Sequence, residues 1–513
     1  MSAPDLSRPP ASVSSSPGRH PSDSAIQFRE WHFRPYLTIW LWCVVLAVLT
    51  HCSMLFSVLH QPVADGKGTS PVLFRAHQEG DELVYYVLAQ RMGWDLSNYT
   101  TRDDPRVQNF PYTIYRKPLF HHPPLYPYLL KIGLAWGSNP LLEIPYVPTP
   151  KPERGKLSPI VEGGAVAMAY LVSVALTSAG AFYVWRLMSL TGIEPAYGAA
   201  GMFALTLCPL LLFSTVRIHH DGLAGLALFC GTVAFAEALA RGKTAVALEA
   251  AFWLVVAFNL RFNSIMALPV LAALPVYAWT GMSRTLDVEG TATTTGEESG
   301  GGAQTISATA ETAPPDRRQV VRVTAIVFGL LLTLGMQHYY RLFATYGTIS
   351  PGVMIQPTPD AIARSPFLRL VENKITRGWV LSELAMLFPL AFLFGCPTFV
   401  RRFWRDLRER RWIAAFVVIL AALFALQLLF SYKQLRYFAI VSVFLHASWP
   451  YLLKTLLAER VRWNVIGLGV LTFLLMTTTG FLNSNVQVSD QALLQPSGVF
   501  YWPAMLPQYV PGD

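Results

Sequence analysis

The sequence predicts an all-α polytopic membrane protein of about eleven transmembrane helices, with a large extracytoplasmic loop after the first helix. Three observations predict this class: the composition is apolar, long apolar runs recur along the chain, and basic residues gather between these runs. Hydrophobic residues make up 53% of the 513 residues and charged residues only 14%. Soluble chains carry about 25% charged residues, so the chain belongs with membrane proteins.

The apolar runs approach the length that crosses a bilayer, about 20 helical residues for about 30 Å of hydrocarbon. Two of them, Thr244–Asn259 and Ile265–Trp279, are shorter and are flanked by turn or basic residues. The predicted spans are Tyr36–Leu59, Val161–Trp185, Tyr197–Phe213, Leu223–Ala240, Thr244–Asn259, Ile265–Trp279, Val321–Met336, Trp379–Val400, Trp412–Phe430, Phe438–Leu453 and Val465–Phe481.

The chain divides into two transmembrane modules that are joined by a linker and flanked by two tails. The linker is rich in Thr, Gly, Ser and Glu, and such a composition cannot bury enough apolar surface to fold. The predicted parts are a disordered cytoplasmic tail (1–34), an N-terminal transmembrane module (35–285) that includes a catalytic first external loop (60–159), a low-complexity cytoplasmic linker (286–318), a C-terminal transmembrane module (319–482) and an external tail (483–513).

Basic clusters between the spans orient the chain, because Lys and Arg gather on the cytoplasmic side of membrane proteins. Six arginines lie between positions 401 and 411, and Arg241 with Lys243 forms a smaller cluster. With an odd span count and a cytoplasmic N-terminus, the clusters fall on one side. The net charge of +9 is therefore explained by orientation and not by nucleic-acid binding. We expect a bacterial inner membrane, or the endoplasmic reticulum membrane in a eukaryote.

Two segments of the first external loop are predicted to be amphipathic helices that lie in the membrane interface. Asp81–Met92 has apolar residues at helical spacing on one side. Leu119–Trp136 carries paired prolines at a helix entrance, followed by Tyr126 and Tyr128. Tyrosines and apolar faces are favoured at the interface, so both segments suit that position.

An adjacent pair of acids, Asp81 and Glu82, lies in the first turn of the first of these helices. The helix dipole stabilises their ionised forms at this position. An ionised carboxylate at the mouth of a cavity can accept a proton from an attacking nucleophile or hold a divalent cation. The alternative is that the pair only complements the dipole.

A possible cation site is indicated by two vicinal histidine pairs, which include His122 and His220, and by Asp221 at the outer start of a span. An acid at this depth is costly unless it is hydrated, paired or bound to a metal. We expect Asp221, His122 and His220 to hold a divalent metal ion. Pairing of Asp221 with Arg217, or capping of its helix, is the alternative.

Basic residues on outward connections are candidates for binding a phosphate group. The arginine fork suits bidentate binding of phosphate, and lipid phosphates lie at this depth. Snorkelling of these side chains to lipid headgroups is the alternative. The candidates are Arg261, Lys433 and Arg436 on short outward connections, and Arg341, Lys374 and Arg377 on a longer one.

Six short motifs occur in order between positions 36 and 453. They are Asp81-Glu82-Leu83-Val84-Tyr85-Tyr86, His122-Pro123-Pro124-Leu125-Tyr126, Arg217 with Asp221, Arg261, Tyr346-Gly347 with Pro351, and Arg436-Tyr437. This order resembles the glycosyltransferase C superfamily, and within it the protein O-mannosyltransferases and the bacterial lipid A aminoarabinose transferases. The chain departs from the family pattern at His122, where the family has lysine, and in the longer stretch Gly137–Ser158.

The resemblance implies a sugar transferase that acts outside the cytoplasm. Such enzymes take a sugar from a polyprenyl-phosphate donor and transfer it, with inversion, to a glycan, lipid or protein acceptor. In this chain the resemblance implies Asp81 as the catalytic base with Glu82 in support. It implies donor binding by Tyr85, Arg217, Arg261, Lys433, Arg436 and Tyr437.

Two other functions are open to a chain of this class. A transporter or flippase of lipid-linked sugars would place ionisable residues near the bilayer midplane. The predicted midplanes hold little beyond His51, Gln427 and His446, which favours surface chemistry. A scaffold without activity leaves Asp81 and Asp221 unexplained.

Overall fold

The structure is a computed structural model, which describes part of the chain. The described residues are 37–52, 80–101, 104, 122–137, 144–145, 160–191, 193, 195–208, 211, 220–289, 316–347, 400–401, 403–405, 415–416, 418–423 and 439–457.

The described part is almost entirely helical, apart from two antiparallel strands of two residues each, β1 (Ile144–Pro145) and β2 (Ile160–Val161). A 3₁₀ turn (Phe262–Ala267) and a π turn (Leu331–Gly335) lie between helices. The helices are α1 (Leu37–Cys52), α2 (Gly80–Arg91), α3 (Leu125–Ala135), α4 (Gly163–Thr191), α5 (Pro195–Thr206), α6 (Asp221–Arg241), α7 (Thr244–Leu260), α8 (Leu268–Glu289), α9 (Arg317–Leu330), α10 (Gln337–Tyr346) and α11 (Ala439–Leu457).

Apolar helices that match predicted spans show that this is a multi-pass membrane protein. Four are long and apolar enough to cross a bilayer: Gly163–Thr191, Asp221–Arg241, Phe262–Thr280 and Arg317–Gly335. Leu37–Cys52, Thr244–Leu260 and Ala439–Ser448 are shorter apolar helices at further predicted spans. The predicted span Val465–Phe481 and nearly all of Trp379–Val400 lie outside the described residues. The count of about eleven therefore stays a prediction.

A helical hairpin, α6–α7, forms the centre of the described bundle. α6 ends at Gly242, whose φ of 64° is left-handed and whose backbone N–H donates to the Ala238 carbonyl over 2.8 Å. The two arms, of 21 and 17 residues, rise about 31 Å and about 26 Å at about 1.5 Å per residue. The start of α6 and the residue after α7, Arg261, therefore return to the same end of the bundle.

Helices α2 and α3 are attached to the start of α4 at this same end. A Cβ on Gly133 of α3 would lie 2.4 Å from the Gly164 carbonyl oxygen of α4, so only glycine permits this approach. The Glu162 backbone N–H donates to the Tyr86 hydroxyl of α2 over 3.1 Å. Gln90 Nε2 donates to Glu162 Oε1 over 3.0 Å. The described helices of the predicted first external loop, α2 and α3, are thus anchored on the bundle.

Helix α2 differs from the amphipathic interfacial helix that the sequence predicts. Its residues from Val84 to Ala89 are all buried, and six consecutive residues of a helix face every direction. The expectation of a one-sided apolar face is therefore wrong for α2, which is packed inside protein. In α3 only one face is buried, by Tyr126, Pro127, Leu130 and Gly133, as an amphipathic helix requires.

Candidate functional site

The site is centred on an ion pair between Asp221 and Arg261, at the end of the bundle reached by both arms of the hairpin. Arg261 Nη1 contacts Asp221 Oδ1 directly, and the two side chains are only 7% and 1% exposed. Asp221 is the first residue of α6 and Arg261 follows the last residue of α7. The positive end of one helix dipole therefore favours the carboxylate, and the negative end of the other favours the guanidinium.

A tyrosine hydroxyl joins two histidines beside this ion pair. The Tyr85 hydroxyl oxygen lies 2.8 Å from His122 Nδ1 and 3.2 Å from His220 Nε2. A phenol carries one proton, so Tyr85 can donate to one imidazole and must accept an N–H from the other. His220 directly precedes Asp221, so the hydrogen-bonded group and the ion pair form one polar cluster.

Aromatic packing and burial hold this cluster in place. The Tyr126 ring stacks on His220 with centroids 5.9 Å apart, and the Tyr85 and Tyr126 rings meet edge to face at 5.7 Å. The Tyr99 hydroxyl donates to the His122 backbone carbonyl over 2.7 Å. Burial raises the pKa of Tyr99 well above its usual value, so this hydroxyl is a neutral donor. The two histidines thus have a rigid setting.

The turn that carries Arg261 is tied to the neighbouring helices. The Ser264 hydroxyl donates to the Ala257 carbonyl over 2.9 Å, and the Ser264 N–H donates to the Arg261 carbonyl over 3.2 Å. The Tyr339 hydroxyl of α10 donates to the Phe262 carbonyl. Burial raises the pKa of Tyr339 well above its usual value, although nearby Arg261 opposes this shift.

The residues predicted from the sequence are described to different extents. Tyr85, His122, His220, Asp221 and Arg261 come together in the polar cluster. The backbone of Asp81 and Glu82 lies in the first turn of α2, with Asp81 one helical turn before Tyr85. The side chains of both acids lie outside the described part. The same holds for the remaining predicted site residues, Arg217, Lys433, Arg436 and Tyr437.

The predicted metal ligands have other partners in this arrangement. Asp221 is paired with Arg261, and Tyr85 engages His122 Nδ1 and His220 Nε2. Within the described part of the chain, no group of three or more His, Cys, Asp or Glu side chains is placed to hold a metal ion. The described donor set does not fit a divalent cation without rearrangement, and metal binding by these residues stays a prediction.

The described fold matches that of a solved membrane protein. The fold is similar to that of ArnT. The structure of ArnT from Cupriavidus metallidurans bound to undecaprenyl phosphate matches with a TM-score of 0.50 at 13% identity, over 91% of this chain and 68% of that one. Its apo structure matches with a TM-score of 0.50 at 12% identity, over 91% and 75%. No protein-family model and no curated protein sequence matches this chain. At this identity the likeness shows that the chain has an ArnT-like fold.

One polar network that the sequence analysis missed lies toward the other end of α6. Arg186 Nη2 lies 2.7 Å from Glu237 Oε2, and Arg186 also contacts Glu249, which accepts from the Tyr183 hydroxyl. Arg241 Nη1 lies 3.1 Å from Glu237 Oε1. Ionisable residues inside apolar spans were the available signal, because each needs a partner there.

Proposed function

We propose that this protein is a membrane glycosyltransferase that moves a sugar from a polyprenyl-phosphate donor to an acceptor outside the cytoplasm. The observation that carries the proposal is the buried Asp221–Arg261 pair beside the Tyr85 cluster, at one end of an ArnT-like bundle. An ArnT structure contains undecaprenyl phosphate, which is the sugar-free carrier part of the proposed donor. The sequence-based orientation puts this end of the bundle on the external face.

Arg261 is proposed to bind the donor phosphate and to stabilise the charge that grows on it as it leaves. A guanidinium has five N–H donors, so contact with Asp221 leaves others for a phosphate. Burial strengthens such an interaction, because the site excludes water and needs little reorganisation during the reaction. Asp221 then acts by orienting Arg261. Arg217, Lys433, Arg436 and Tyr437 are proposed to complete the phosphate site.

Asp81 is proposed to be the catalytic base, with Glu82 in support. In an inverting transfer the acceptor hydroxyl oxygen attacks the anomeric carbon while the bond to the phosphate oxygen breaks. The hydroxyl proton passes to the Asp81 carboxylate, and the polyprenyl phosphate leaves with the bonding electron pair. The position of Asp81, one turn before Tyr85 on α2, favours this role because Tyr85 is part of the polar cluster.

No step of this mechanism requires a metal ion, because Arg261 supplies the charge at the leaving phosphate. If the predicted divalent cation is nevertheless used, His122, His220 and Asp221 are the residues that would hold it. Activity that survives prolonged chelation would remove the metal from the proposal. The acceptor class (glycan, lipid or protein) and a bacterial inner membrane location are likewise proposals.

A transfer assay in proteoliposomes tests the function. A panel of radiolabelled undecaprenyl-phosphate sugars is presented with glycan, lipid and protein acceptors, and label on each acceptor is counted. We expect transfer from at least one donor, and an increase in donor KM of about tenfold or more in Arg436→Ala, since a charged hydrogen bond contributes about 1.5–3 kcal/mol. Movement of the donor between leaflets without transfer would instead establish the flippase alternative. No transfer from any donor would contradict the proposal.

A further inference from the structure

Among the described residues, one buried histidine without a hydrogen-bond partner lies next to Tyr339, which contacts the turn that carries Arg261. His338, the second residue of α10, is only 2% exposed, and neither of its ring nitrogens is hydrogen-bonded within the described part of the chain. Burying a polar group without a partner costs free energy, and native proteins keep few such groups. A ligand that hydrogen-bonds His338 would remove this cost.

The backbone around His338 is held against the turn that carries Arg261. Before it, Asn259 Nδ2 donates to the Leu334 carbonyl of the π turn over 3.1 Å. After it, the Tyr339 hydroxyl donates to the Phe262 carbonyl. The two contacts involve Asn259 and Phe262, which lie on either side of Arg261 in the sequence. The centroids of the His338 and Tyr339 rings are 3.8 Å apart. π turns often occur at functional sites, where they redirect side chains.

The chemistry of His338 distinguishes between the parts of a phosphate-linked sugar. Burial lowers the pKa of His338 to about 3, so its ring is neutral at physiological pH. A neutral imidazole offers one N–H donor and one acceptor nitrogen. A sugar hydroxyl also donates and accepts, whereas an ionised phosphate only accepts and would leave the acceptor nitrogen unpaired. A hydroxyl is the better complement to His338, and Arg261 is the better complement to the phosphate.

We propose that His338 binds a hydroxyl of the sugar carried by the polyprenyl-phosphate donor and so contributes to the choice of sugar. This inference rests on the proposed glycosyltransferase function and adds the residue that recognises the transferred group. A site built to hydrogen-bond a hydroxyl discriminates strongly against a sugar that lacks it. His338 is then a specificity residue, distinct from the residues that bind the phosphate.

The test compares a loaded carrier with an empty one in the same assay. The donor is the undecaprenyl-phosphate sugar that gives transfer, and the inhibitor is undecaprenyl phosphate, which has no sugar. We expect His338→Leu to raise the KM of the donor about tenfold, equivalent to about 1.4 kcal/mol. The inhibition constant of undecaprenyl phosphate should change less than about twofold, since the phosphate contacts are intact.

His446 provides a matched control. It is 1% exposed, and within the described part of the chain neither ring nitrogen is hydrogen-bonded, but it lies on a different helix, α11. We expect His446→Leu to leave the donor KM unchanged. Thermal unfolding of His338→Leu should not shift to lower temperature, because the substitution removes an unpaired polar group. His338→Gln retains a donor and an acceptor and should recover part of the donor affinity.

Four results would overturn the inference. They are an unchanged donor KM in His338→Leu, an equal loss of affinity for the sugar-free carrier, an equal effect of His446→Leu, and failure of His338→Leu to fold, which would make the imidazole structural. Failure of the proposed function is recognised by a different result, in which the wild-type protein transfers none of the sugars. In that case the inference falls with it.

Discussion

Asp221 and Arg261 form a buried ion pair across the end of the α6–α7 hairpin. The arms of this hairpin have 21 and 17 residues, and their contact shows that Asp221 and Arg261 lie at the same end of the bundle. Neither side chain reaches water to an appreciable extent, and each provides the charge that the other needs. Removing one side chain leaves the other as an uncompensated buried charge, which lowers the free energy of unfolding strongly. Replacing both residues by apolar ones of similar size would change that free energy less.

The first prediction concerns the stability of this pair. Asp221→Asn should lower the free energy of unfolding by about 3–5 kcal/mol, because it leaves the Arg261 guanidinium buried without its counter-charge. The double variant Asp221→Asn/Arg261→Gln should recover a large part of that loss. Thermal or denaturant unfolding in detergent micelles measures both. Additive losses in the double variant would show that the two residues do not interact energetically.

The second prediction concerns the base. Asp81→Asn keeps the shape of the side chain and removes its basicity, so kcat should fall by about 10²–10⁴-fold. The donor KM should stay near the wild-type value, because the phosphate contacts are separate. Steady-state transfer assays measure both constants. If Glu82→Gln shows this loss and Asp81→Asn does not, the role of base belongs to Glu82.

The third prediction concerns the network of Arg186, Glu237 and Glu249. Arg186→Met should destabilise the protein by about 1–3 kcal/mol, because, among the described residues, Glu237 keeps only Arg241 and the half-buried Glu249 keeps only the Tyr183 hydroxyl as a partner. The donor KM should not change in protein that remains folded, since Glu237 lies about 24 Å along α6 from Asp221. Lys243→Met, an exposed substitution near this end, is the control and should be neutral. A raised donor KM without loss of stability would contradict a structural role.

The fourth prediction concerns the docking of α3 on α4. Gly133→Ala should destabilise the protein by about 1–3 kcal/mol, because the new methyl group meets the Gly164 carbonyl. Gly329→Ala is the matched control: it is also a helical glycine, but a Cβ there meets no atom within 4 Å. It should stabilise α9 by about 0.5–1 kcal/mol. Equal thermal shifts in the two variants would show that α3 and α4 are not in close contact.

The sequence alone determines the class of the protein and the positions of most described helices. Hydrophobicity and helix formation depend on local composition, so the described apolar helices fall at predicted spans. The start of α2 next to the acidic pair could also be predicted, because acidic residues are typical of the first turn of a helix. The two consecutive predicted spans Leu223–Ala240 and Thr244–Asn259 also indicate that Asp221 and Arg261 lie at the same end of a helical hairpin.

Only the tertiary structure decides which polar residues become partners. From the sequence, Asp221 could pair with Arg217, cap its helix or bind a metal ion. Packing of the hairpin pairs it with Arg261 instead. Tyr85 is 37 residues from His122 and 135 from His220, and its hydroxyl joins the two only because α2 is buried inside the bundle. Such contacts depend on how helices pack against each other, and no local pattern of residues encodes that packing.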